Sequence, residues 1–131
     1  MSQRLKLFFD GGCRPNPGRM EIAVVAAGRT EIVGDLGHGT SLDAEWLALI
    51  HALKVAQSFG AGSSADAGFV LLGDAVNVIG QATGRVTCRG ASLRHYEAFR
   101  AMTSSGPPPR IRYVKRSQNL AGIALSRMHE R

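Results

Sequence analysis

Cysteine is nearly absent from this chain of 131 residues: there are two, Cys13 and Cys88, far apart in the sequence. They form no CxxC pair and match no metal-binding spacing, which excludes a disulfide framework or a zinc ribbon and leaves packing as their expected role. Long apolar runs are missing too, so no membrane-spanning segment is expected. The opening Met1-Ser2-Gln3-Arg4 has no signal-peptide core, and the expected compartment is the cytoplasm. Internal repeats are absent. Acidic residues are in short supply, ten against sixteen basic ones, for a net charge of +6. The deficit is local. Residues 1–66 carry six basic and seven acidic side chains; residues 67–131 carry ten basic and three acidic, and nine of those ten are arginine. Arginine forks match phosphate oxygens, and a basic face attracts nucleic acid without regard to sequence.

What is present is enough for one folded domain spanning residues 1–131. A hydrophobic fraction of 44% excludes disorder, and the length suits one core rather than two. Leu5–Asp10 has the alternating apolar pattern of a strand and runs straight into Gly11-Gly12 and Asn16-Pro17-Gly18, both turn formers. Met20–Ala27 and Glu31–Leu36 read as two further strands, antiparallel because the link through Gly28-Arg29-Thr30 is short. Thr40 to Asp43 is a capping-box pattern opening a largely apolar helix to about Ser58. Gly60–Gly68 reads as a surface loop. Phe69–Gly73 is a continuous apolar strand ending in Asp74, followed by a helix over about Ala75–Thr83. Ser92–Thr103 is a helix, Ser104–Pro109 a stop, Arg110–Lys115 a half-buried strand, and Leu120 onward a helix. Three early strands with short links, then strands alternating with helices, predict an α/β mixed five-stranded sheet flanked by helices, antiparallel first and parallel afterwards.

Two carboxylates, Asp10 and Asp74, end two apolar strands, and Glu45 sits early in the helix between them. If the strands are neighbours, their ends lie about 5 Å apart, and a helix packed on the sheet can bring Glu45 to the same point. Three carboxylates together repel unless protonated or bound to a cation, and hard oxygen donors select Mg²⁺ or Mn²⁺ over zinc. Each acid also has a plain alternative: Asp10 as a turn former, Glu45 as a partner for the helix dipole, Asp74 as an N-cap.

Across nearly its full length the chain resembles type 1 ribonucleases H. The resemblance rests on Phe9-Asp10-Gly11-Gly12 with Asn16-Pro17-Gly18, Thr40 through Ala44-Glu45, Leu72-Gly73-Asp74 with Val78, Ile79 and Gln81, and Ile111–Val114 with Arg116 and Asn119-Leu120-Ala121. It implies the ribonuclease H-like sheet and a metal-dependent endonuclease that cuts the RNA strand of RNA–DNA hybrids to 3′-hydroxyl and 5′-phosphate ends. It implies Asp10, Glu45 and Asp74 as catalytic metal ligands, with two Mg²⁺ or Mn²⁺ ions roughly 4 Å apart. It also implies Gly11, Gly12, Asn16, Gln81, Arg116 and Asn119 as nucleic-acid contacts. The expected partner is an RNA–DNA hybrid, with double-stranded RNA as the alternative; no membrane or required protein partner is implied.

The chain also departs from that pattern. The family closes on Asn-x-x-Ala-Asp or near it, with a fourth metal-binding acid, and the chain reads Asn119-Leu120-Ala121-Gly122, with glycine in that place. Along the same helix, Ser126 is a poor ligand and His129 and Glu130 are too far on, about 12 Å for the latter. The usual serine after the third acid is Ala75, an asparagine pair before the second is replaced by Leu42 and Asp43, and no basic protrusion lies between Gly84 and Arg110. A weakened second metal site predicts a low rate and a shift toward Mn²⁺. Three readings stay open: a slow nuclease, a hybrid- or nucleic-acid-binding module whose catalysis has lapsed, and a subunit using the fold for protein contacts alone.

Overall fold

The computed structural model describes residues 5–59, 68–104 and 108–129. Gly60–Ala67 of the expected loop, the middle of the expected Ser104–Pro109 stop, and Glu130 lie outside them. Strand β1 (Leu5–Arg14) pairs antiparallel with β2 (Gly18–Ala26), which pairs with β3 (Arg29–Val33). A two-residue β4 (His38–Gly39) also pairs with β2, extending the expected five-stranded sheet by one short segment. After helix α1 (Ser41–Ser58), β5 (Phe69–Gly73) runs parallel to β1. Helices α2 (Val76–Ala82) and α3 (Ser92–Met102) follow, then β6 (Arg110–Tyr113), parallel to β5. A single 3-10 turn (Arg116–Gln118) leads into α4 (Leu120–Met128). The spatial order is β3-β2-β1-β5-β6, a mixed sheet with helices on both faces.

Alternation along the strands assigns the faces. Leu7 and Phe9 of β1, Ile22 and Val24 of β2, Leu71 of β5 and Ile111 of β6 join Trp46, Leu49 and Leu53 of α1 in the main core. The opposite face is covered by α4, through Ala121 and Leu125 packed on Ala23 with Phe8 and Val25 beside them. The capping box forms as expected: the Thr40 hydroxyl accepts from Asp43 N–H, and Asp43 accepts from Thr40 N–H.

One strand runs further than expected, to a turn that overlaps the expected Asn16-Pro17-Gly18, and one turn falls elsewhere. β1 does not stop at Asp10. Gly11 and Gly12 stay extended and pair with Ile22 and Glu21, so the reversal comes at Pro15–Pro17. The β2–β3 reversal is Ala27-Gly28, both with positive φ (52° and 75°), as a two-residue hairpin turn of the mirror-image kind needs, and Arg29 and Thr30 are already in β3.

Candidate active site

The parallel pairing of β1 with β5 ends at Phe8↔Leu72, and just past it the two strands project Asp10 and Asp74. Asp10 is therefore inside the long β1–β2 ladder yet at the end of the β1–β5 one, where a sheet opens into a cleft. Gly11 settles where α1 sits. A Cβ at this position would run into the Ala44 carbonyl, so the backbone of α1 lies directly against β1 and carries Glu45 to the same end of the sheet. Close approach at Gly11 is made by this helix. That revises the expectation that Gly11 admits nucleic acid, whereas Gly12 has open space in front of it.

The three acids line one cleft of about 370 Å³, together with Gly11, Gly12, Glu21, Arg116 and Gly122. Burial, then the charges of Asp74 and Glu45, push the Asp10 carboxyl up from an ordinary 3.8 to about 7, against the pull of Arg116. Burial and Asp74 raise Glu45 as well. Neither plain reading of the other two acids holds. The N-cap of α2 is Ala75, and Asp74 caps nothing; its Oδ1 accepts from Asn119 Nδ2 (3.1 Å) and its Oδ2 from Arg116 Nε (3.2 Å). The first-turn acid of α1 is Asp43, and Glu45 lies beyond it. Among the described residues no three His, Cys, Asp or Glu side chains are gathered closely enough to hold a metal ion as they stand. The donor set itself suits a hard divalent cation: oxygen ligands whose mutual repulsion already favours a proton on Asp10 are relieved by positive charge. Taking up such an ion involves drawing the carboxylates together.

The remaining candidates divide. The Arg116 side chain is 93% exposed and stands over the cleft on its Asp74 contact. Asn16 is exposed, but its Oδ1 accepts from Ser41 N–H (3.0 Å) and the Cys13 thiol (3.4 Å), tying the β1–β2 turn to the start of α1. Gln81 faces inward, accepting the indole N–H of fully buried Trp46 (2.9 Å). Asn119 is fully buried and touches no solvent, so it is not a nucleic-acid contact. It donates to Phe9 O (3.0 Å) and to Asp74 and accepts from Ala121 N–H, fixing β1, Asp74 and the start of α4 to one another.

Counted strictly, Asn-x-x-Ala-Asp from Asn119 reaches Ile123, but it is Gly122 that lines the cleft, and a Cβ there would lie 3.4 Å from Asp10 Oδ2. Neither residue is an acid. The one acid of the cleft that sequence reasoning missed is Glu21, on β2. Its signal was a single acid at the start of the apolar run Met20–Ala26.

No protein-family model matches the sequence, and no curated protein matches it either. Solved structures do. RNase H1 from the halophilic archaeon Halobacterium salinarum is 29% identical, covering 95% of this chain and 98% of that one, with a TM-score of 0.77. The N-terminal RNase H domain of a Mycobacterium tuberculosis protein is 26% identical over 96% of both chains, with a TM-score of 0.74. LC11-RNase H1, solved in complex with an RNA/DNA hybrid, is 25% identical over 89% of both, with a TM-score of 0.75. The sheet order and flanking helices are those of the ribonuclease H fold.

Proposed function

We propose that this chain is a divalent-metal-dependent endoribonuclease, acting as one domain in the cytoplasm, that cuts the RNA strand of RNA–DNA hybrids to 3′-hydroxyl and 5′-phosphate ends at a low rate. The observation that carries the reading is the convergence of Asp10, Glu45 and Asp74 from three distant segments on one cleft, with Asp10 raised by burial and then by the other two. The ribonuclease H neighbours, one of them bound to a hybrid, support it.

Asp10, Glu45 and Asp74 would hold Mg²⁺ or Mn²⁺. Ions there would activate a water and steady the leaving oxygen. Asp10, between its two neighbours, has the strongest need of positive charge. Asn119 holds the Asp74 carboxylate toward Asp10 and spends every polar atom doing so. Arg116, on a long exposed arm, can exchange its Asp74 contact for a phosphate oxygen. Gly12 leaves the cleft mouth free of side chains where a nucleic-acid backbone passes.

A second reading, a hybrid-binding module without catalysis, draws on the lack of an acid at both Gly122 and Ile123 and on the looseness of the acid cluster. Purified protein incubated with an end-labelled RNA–DNA hybrid in Mg²⁺ and in Mn²⁺ separates the two, with Asp10→Asn as the control. Cleavage lost in the control establishes the nuclease. Hybrid binding without cleavage in either metal establishes the module.

A further inference from the structure

The wall of the cleft facing Asp10 is made by α4, which offers only Gly122, Leu125 and Ser126, and by β2, which offers Glu21. In the β1–β2 register Asp10 is opposite Ala23 and Gly12 opposite Glu21. With period-two alternation Asp10 and Glu21 therefore project from the same face, as diagonal neighbours about 7–8 Å apart at their backbones. Gly12, between them, has no side chain, and a Cβ built on it would meet nothing. Glu21 thus has an unobstructed path into the cleft.

Its surroundings are unusual for a strand glutamate. The side chain is only 15% exposed. Its Oε2 is bonded to Nε2 of His129, the residue that closes the C-terminal end of α4. Among the described residues Oε1 has no protein partner, and Glu21 lines the cleft. A carboxylate pinned by one oxygen to an imidazole, with the other free, has the orientation that metal-binding carboxylates receive from their outer hydrogen bonds.

We infer that Glu21, positioned by His129, supplies a carboxylate that α4 does not: it is the ligand on the wall facing Asp10 for a second divalent ion. The inference rests on the proposed metal-dependent function. It explains how a cleft can lose an acid from α4 and keep an acidic far wall, the replacement coming from the strand beneath the helix.

The test is Mn²⁺ titration by calorimetry and by paramagnetic relaxation, on the full chain without nucleic acid, comparing wild type with Glu21→Gln. The expected result is a tighter site unchanged and a weaker site reduced about tenfold or more in affinity. The double variant Glu21→Gln/Gly122→Asp is expected to regain the weaker site, which a damaged fold would not. Unchanged weak-site binding in Glu21→Gln, or no recovery in the double variant, overturns the assignment of Glu21 and leaves the proposed nuclease standing. Absence of all Mn²⁺ binding in wild type overturns both.

Discussion

Gly122→Asp places a carboxylate against Asp10, and its effect is expected to change sign with metal. A Cβ at position 122 meets Asp10 Oδ2 at 3.4 Å, Asp10 Cγ at 3.6 Å and the Asn119 Cβ at 3.8 Å, ordinary contacts with no backbone in the way. Two carboxylates about 4–5 Å apart repel by roughly 3–4 kcal/mol at an effective dielectric constant of about 20. Replacing a glycine in the first turn of α4 with an acid offsets about 0.5–1 kcal/mol through helix propensity and the helix dipole. The metal-free variant is therefore expected to be about 2–3 kcal/mol less stable at pH 8, a melting temperature lower by roughly 10 °C. At pH 5, where Asp10 keeps its proton, most of that difference disappears. Saturating Mn²⁺ is expected to reverse the order, with hybrid cleavage rising on the order of tenfold or more. The assay is thermal unfolding in EDTA and in Mn²⁺ at both pH values, alongside cleavage of a labelled hybrid. Ile123→Asp, outside the cleft lining, is the comparison and is expected to give neither effect. If Ile123→Asp and not Gly122→Asp gains activity, or if Gly122→Asp melts like wild type in EDTA, the placement of position 122 beside Asp10 is wrong.

Three further outcomes follow from the same cleft. Asp10 keeps its proton in the folded protein up to about pH 7 and releases it near 3.8 when unfolded, so its contribution to stability is complete below pH 4 and lost as pH rises to 7. Metal-free protein should lose at most about 4 kcal/mol over that window, and chemical denaturation of Asp10→Asn in EDTA should show a markedly flatter pH dependence. Asn119→Ala removes three hydrogen bonds, two of them buried and one of those the side-chain cap of α4, and is expected to cost about 2–4 kcal/mol by urea denaturation; a loss under 1 kcal/mol contradicts its bridging role. Arg116→Ala takes away a cation that competes for Asp74, so calorimetry should show Mn²⁺ binding several-fold tighter without hybrid while hybrid affinity falls.

Much of this was written locally. Period-two alternation marked the strands, Thr40-x-x-Asp43 marked the start of α1, and the three acids stood out as polar residues at the ends or openings of apolar segments. What stayed hidden depended on pairing. The extension of β1 through Gly11 and Gly12 follows from their partners on β2, since a Gly-Gly step by itself reads as a turn. The inward roles of Gln81 and Asn119 depend on Trp46 and on Phe9 and Asp74, distant in sequence. Glu21 was missed for the same reason. Spacing along α4 is countable and brings no acid close to Asn119, whereas Glu21 reaches the cleft from the adjoining strand, where proximity comes only from register.

The two faces of the sheet are anchored very unequally. The α1 face holds a broad apolar core, whereas α4 is seated by Ala121 and Leu125 on Ala23, with Asn119 as its rivet. The floor of the cleft thus rests on the broader core, while α4 is held to the sheet by a smaller apolar contact together with the Asn119 bonds at one end and the Glu21–His129 bond at the other. Because Asn119 ties the helix to Asp74, any shift of α4 would carry over to the carboxylate it holds, so wall and floor are mechanically linked through one amide.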